Sequence, residues 1–137
     1  MKKLYIETGS KSGHLRPSVL MIYTGGTLGM VFDANEKTLV PFNFEQIMEN
    51  VPELNRLNFD LTVMMLPKPI DSSNIQIQDW IVLGEIIERN FQEYGAFVIL
   101  HGTDTMAYTA SALSFMLENM VLMFLSTSQN PIKANSR

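Results

Sequence analysis

Short apolar runs alternate with polar stretches along the chain. Val19-Leu20-Met21-Ile22-Tyr23 is apolar at every position and partly β-branched, the pattern of a strand buried on both faces, and Pro17 just before it marks where order begins. Residues 61–66, 96–100 and 121–125 repeat that pattern, so four strands are expected. Between the second and third runs, Trp80, Leu83, Ile87 and Phe91 recur at spacings of three and four, with Glu85, Glu88 and Arg89 left to water. This spacing predicts an amphipathic helix that opens at Gln78 or Asp79 and closes on Gly95 as its C-cap. After the third run, Met106, Ala110, Leu113 and Leu117 form the inner stripe of a further helix. Asn43 as N-cap and Pro52 as terminator predict a short helix over residues 44–50. The polar stretch 31–42, with Asp33, Asn35 and Pro41, reads as a loop with a short hairpin.

Strands that alternate with helices form βαβ units, whose crossovers produce a parallel sheet covered on both faces. The predicted fold is therefore α/β, a flavodoxin-like doubly wound sheet, mainly parallel. A chain of 137 residues is about one domain. Residues 1–17 are expected to be a flexible N-terminal extension and residues 18–137 the α/β domain.

Ligands of such sheets sit in the crevice beyond the carboxyl ends of the strands. Three polar loops fall there: Thr24-Gly25-Gly26-Thr27, Asp71-Ser72-Ser73-Asn74 and Gly102-Thr103-Asp104-Thr105. Each has a plainer explanation. Gly25-Gly26 could serve only a sharp turn, residues 71–73 a helix-capping loop, and Asp104-Thr105 the cap of the following helix. Their placement on one sheet edge is what favours a shared site.

Composition narrows the chemistry. The net charge is −4 with no lysine or arginine cluster, which argues against nucleic acid or an anionic membrane as partner. Cysteine is absent, so there is no disulfide framework, thiolate metal site or cysteine nucleophile, as fits a reducing cytoplasm. The basic N-terminus is not followed by the apolar stretch of a secretory signal. The longest apolar runs, such as residues 120–125, fall far below the roughly 18 residues of a membrane span.

The phosphate-binding patterns G-x-G-x-x-G and G-x-x-x-x-G-K-[ST] are missing, as is the G-x-S-x-G elbow. The only histidines are His14 in the lead-in and His101 at a strand end, where a structural role is expected. What remains is a threonine nucleophile assisted by something other than histidine. Thr27, after two glycines that permit close approach of a substrate, is the best placed. Asp104 offers a carboxylate to a cationic group, and Ser72 and Ser73 offer hydroxyl donors to an anionic one. That set suits a zwitterionic amino acid.

These residues resemble the N-terminal part of a bacterial type I, cytoplasmic-type L-asparaginase. Residues 24–30, TGGTLGM, resemble the family's first signature, residues 101–105, HGTDT, its second, and residues 71–74, DSSN, its substrate-binding loop. Residues 96–119 match such enzymes with almost no change, and the resemblance covers about residues 18–119. It implies hydrolysis of L-asparagine to L-aspartate and ammonia through an acyl-enzyme on Thr27, with L-glutamine as a weaker substrate and no metal or organic cofactor. Thr103 is implied in the family's second threonine site, joined to a relay lysine. Asp104 is implied at the substrate α-ammonium, and Asp71, Ser72 and Ser73 on the α-carboxylate side. A homo-oligomer is implied for the full-length family.

Three departures accompany the match. The family's second, smaller domain and its relay lysine have no counterpart in residues 1–137, and the match breaks at Met120, which reads as a truncated or frame-altered chain. Residues 28–42 contain no tyrosine where many relatives carry one, Leu39 standing at the expected place, and Tyr23 and Tyr94 are poor substitutes. The alternative expectation is thus an inactive or ligand-binding fragment of an asparaginase.

Overall fold

A computed structural model describes residues 2–6, 16–25, 30–33, 35, 37–41, 53, 56–118 and 122–125. Its strands are β1 (Lys2–Ile6), β2 (Ser18–Tyr23), β3 (Met30–Asp33), β4 (Thr38–Pro41), β5 (Asp60–Met65), β6 (Ala96–Leu100) and β7 (Leu122–Leu125), and its helices are α1 (Ile77–Asn90) and α2 (Met106–Met116). Five strands form one sheet in the order β1-β5-β2-β6-β7, while β3 and β4 pair as a separate antiparallel hairpin. Neighbours among β5, β2, β6 and β7 run parallel, and β1 lies antiparallel on the outer edge of β5. The mainly parallel α/β fold expected from the sequence is the fold observed.

The strand order explains where the helices lie. From β2 the chain steps outward to β5, then returns across β2 to β6 and onward to β7. The last two crossovers move in the same direction, so right-handed connections put both on one face. Leu83, Ile86 and Ile87 of α1 and Leu113 of α2 accordingly meet Leu20, Ile22, Met64, Phe97 and Ile99 in one core. Burying an aliphatic side chain of this kind contributes about 1.5–3 kcal/mol. The alternate strand residues Val19, Tyr23, Leu61, Val63 and Leu100 form a second cluster on the opposite face, which neither α1 nor α2 supplies. The helix expected over residues 44–50 belongs to the outward crossover and lies outside the described residues.

Several local expectations are corrected. The lead-in is not loose throughout, because residues 2–6 pair with the β5 edge from Lys2↔Met65 to Ile6↔Leu61. Lys3 helps to hold this strand: its Nζ donates to Asn90 Oδ1 at 2.8 Å, lies 3.6 Å from Glu93 Oε2 and stands over the Tyr94 ring. Asn90 is the last residue of α1, where the helix dipole favours a cation. Gly95 does not close α1, which ends at Asn90 with Phe91 as C-cap; the Gly95 N–H instead donates to the Ser18 carbonyl at 2.8 Å. Phe91, expected on the inner stripe, is 46% exposed, because the buried face continues through Ile86 and Asn90.

Candidate active site

In this sheet the connection leaving β2 runs outward to β5 and the one leaving β6 runs the other way to β7, so the two diverge and open a crevice between the carboxyl ends of β2 and β6. Thr24 stitches the floor of that crevice. Its N–H and its hydroxyl both donate to the Leu100 carbonyl, at 3.2 and 2.8 Å, and its own carbonyl accepts the Ile70 N–H at 2.6 Å. The exits of β2 and β6 and the loop after β5 are thereby tied to one buried residue. Gly25 follows at φ +136°, and a Cβ there would lie 2.6 Å from the Ile70 carbonyl oxygen. Only glycine has both the conformation and the room.

The loop after β5 is built by Asp71. Its Oδ1 accepts from the Ser73 N–H at 3.0 Å and the Ser73 hydroxyl at 2.8 Å, and its Oδ2 accepts from Asn74 Nδ2 at 2.9 Å. The Ser73 hydroxyl and N–H, with help from Asn74, hold the Asp71 carboxyl below the usual carboxylate range. A single 3₁₀ turn, Ser72–Asn74, results, with Asp71 as its N-cap. The chain then enters α1, where Asp79 Oδ2 accepts the Gln76 N–H at 2.8 Å.

The loop after β6 leans on this turn. Ser72, 7% exposed, donates its hydroxyl to Asp104 Oδ2 at 2.8 Å, and the Thr105 hydroxyl donates to the Ser72 carbonyl at 2.6 Å. Gly102 makes the approach possible, since a Cβ there would overlap the Ser72 side chain, 2.7 Å from its Cβ. The plain capping role for Asp104 and Thr105 is not what they perform. Thr105 is the N-cap of α2 but makes no side-chain cap bond, and both side chains reach across to Ser72.

Beneath the loop His101 is 2% exposed, with Nδ1 at 2.7 Å from the Gly102 carbonyl and Nε2 at 2.9 Å from the Thr109 hydroxyl. Trp80 Nε1 donates to the same hydroxyl at 3.0 Å. Both imidazole nitrogens are engaged, so the ring is a structural strand-end group here. Tyr23 is buried too, and burial pushes its phenol up, away from any role as a base near neutral pH.

Ser72 and Asp104 are thus brought together, with Thr103 exposed beside Asp104 and Ser73 exposed on the same turn as Ser72. Asp71 is turned into its own loop. Thr27 lies outside the described residues. Sequence reasoning missed Thr24 as the fastener of the crevice and Thr109 as the partner of His101; in one sequence a buried threonine carries no signal that separates a hydrogen-bonding role from a packing one. Among the described residues no group of three or more acidic, histidine or cysteine side chains could hold a metal, and no helix is long and apolar enough to cross a membrane.

The family model for the asparaginase N-terminal domain matches residues 18–137. The chain belongs to the asparaginase family. Within it, this asparaginase domain is 43% identical over 108 residues to L-asparaginase 1 of Escherichia coli K12, covering 77% of this chain and 31% of that protein. L-asparaginase I of Vibrio cholerae superposes with a TM-score of 0.72 at 38% identity, over 86% of this chain and 36% of the other. The human 60 kDa lysophospholipase is 36% identical over 138 residues, covering 85% of this chain and 24% of its own. This asparaginase domain therefore spans about a third or less of the length of these relatives, and it is like the type I enzymes.

Proposed function

We propose that this domain binds L-asparagine in the β2/β6 crevice and carries the nucleophile for its hydrolysis to L-aspartate and ammonia. Thr27 Oγ bonds to the side-chain amide carbon, the carbon–nitrogen bond breaks, and ammonia leaves with the hydroxyl proton. Water then attacks the ester, restoring the threonine and releasing the new carboxylate. Two easier steps replace one hard one.

The reading rests on one observation above all. The 2.8 Å bond from the Ser72 hydroxyl to Asp104 Oδ2 gathers, from two different loops, an anion for the α-ammonium of a zwitterion and a hydroxyl whose single proton is released to the α-carboxylate when that ammonium takes its place. Asp104 takes the α-ammonium. Ser72, on the turn that Asp71 and Ser73 shape, faces the α-carboxylate. Thr103 belongs to the second threonine site, and Thr27 follows Gly25 by two residues. L-glutamine is a weaker substrate in the same proposal, the setting is cytoplasmic, and no metal or organic cofactor takes part. The names of two relatives, both L-asparaginases, support the choice of substrate. Homo-oligomeric assembly is part of the proposal.

Ammonia release from L-asparagine by the purified chain tests the reading. Sustained release that Thr27→Ala abolishes, a loss of at least about 10²-fold given the worth of a nucleophile and its base, is the expected result. Asparagine binding without release would leave a ligand-binding domain, and neither binding nor release would overturn the assignment.

A further inference from the structure

We propose that Thr109 is a positioning residue for the candidate site, acting through His101 on the turn that carries Thr103 and Asp104. The chemistry of each partner leaves one direction for the hydrogens. An indole N–H can only donate, so the Thr109 oxygen accepts from Trp80 at 3.0 Å. The Gly102 carbonyl can only accept, so His101 Nδ1 carries the ring proton and donates to it at 2.7 Å. His101 Nε2 is then the acceptor, and the Thr109 hydroxyl, fully buried, donates to it at 2.9 Å. The order runs from α1 to α2 to the end of β6 and into the loop, every group paired.

The consequence falls on the backbone. A planar trans peptide points its C=O and N–H in opposite directions. With the Gly102 carbonyl turned to the imidazole, the Thr103 N–H is turned away from it. The other side of the loop is held by Ser72, through Asp104 and Thr105. The turn is therefore fastened at both sides, to the neighbouring loop and to the helix core. Without the Thr109 donor, His101 Nε2 loses its reason to stay unprotonated, the ring can take the other tautomer, and the Gly102 carbonyl loses its donor. That the turn so held receives an amino acid rests on the function proposed above; the hydrogen-bond order does not.

Nuclear magnetic resonance on the isotope-labelled chain tests the proposal, with one tryptophan and two histidines to assign. Long-range proton–nitrogen correlations read the His101 tautomer, backbone nitrogen relaxation reads the order of the turn, and an L-asparagine titration reads the site. The expected wild-type form is Nδ1–H. Thr109→Val should mix the tautomers, lower the order parameters at residues 103–105 from about 0.85 toward about 0.6 and weaken asparagine binding roughly three- to tenfold, while those at Ile99 and Leu83 stay at the rigid value. Thr109→Ser, which restores the hydroxyl, should restore all three. An Nε2–H wild type, unchanged order at 103–105, or an equal fall across the whole domain would overturn it. If Thr109→Val does not fold, Thr109→Ala, which removes the same hydroxyl in a smaller side chain, carries the same relaxation test with the same sign, and no change there overturns the proposal. A wild type that binds no asparagine defeats the proposed function, while tautomer and relaxation still decide the positioning role.

Discussion

Asp71 and Asp104 stand in matching loops, one after β5 and one after β6, at the same edge of the sheet, and they face opposite tasks. Asp71 spends both oxygens within three residues of itself, on Ser73 and Asn74, and so makes its loop. Asp104 reaches 32 residues back along the chain to the Ser72 hydroxyl, so its loop is made by other groups. A carboxylate already saturated by local donors is poor at recognising a new cation, whereas one held by a single neutral hydroxyl exchanges partners at little cost. Within the function proposed above, the difference leaves Asp71 to shape its loop and Asp104 to take the ligand's ammonium, although the two look alike in sequence.

Forcing the loops apart breaks the comparison most severely. Gly102→Ala drives a Cβ into the Ser72 side chain, and overpacking of this kind costs about 1–3 kcal/mol unless the backbone yields. The expected outcome is a lower denaturant midpoint together with loss of detectable asparagine binding by calorimetry. A variant that keeps both would mean that the close approach of the loops is incidental to recognition.

Changing one aspartate at a time sharpens it. Asp104→Asn keeps the shape and the acceptor for Ser72 but removes the charge, and asparagine affinity should fall roughly 10- to 10²-fold, as for loss of a charged partner. Asp71→Asn keeps an acceptor for the Ser73 N–H, because asparagine caps as well as aspartate does. Its affinity should stay within about threefold of wild type. Equal losses in the two variants, measured by the same titration, would erase the distinction.

Much of this arrangement was legible in the chain because it is local or periodic. The apolar runs of β2, β5 and β6 and the three-and-four spacing of α1 announced a parallel sheet, and the sheet announced its crevice. The pairing of Ser72 with Asp104 was legible only as a shared edge, since a bond across 32 residues leaves no mark on spacing. The edge strand β1 was missed for the same reason. KKLYI is a strand only because the β5 edge and the end of α1 receive it. Asp71 was placed on the α-carboxylate side by the resemblance of residues 71–74 alone, and the donors that occupy its oxygens became visible only with the turn. Thr27 is the reverse case, a residue picked out by its glycines and lying outside the described residues.

The smallest effect is the response of the Asp71 turn to acid. Hydrogen bonds from Ser73 hold the Asp71 carboxyl below its ordinary value of 3.8 in the folded chain. A lowered folded value means that the ionised form is the one the fold prefers. The stabilisation is therefore fully present above the unfolded value and is lost as pH falls from there through the folded one. At neutral pH the turn should be intact. Below about pH 4 protonation should loosen Ser72–Asn74, with faster amide exchange at Ser73 and Asn74. Carbon-detected titration of the Asp71 carboxyl checks this, with a midpoint below 3.8 expected. Asp71→Asn supplies the control, since it keeps the cap and has no proton to gain, so its turn should hold through the same window. A turn that loosens equally in both would place the acid-sensitive group elsewhere and take from Asp71 the loop-building task that sets it apart.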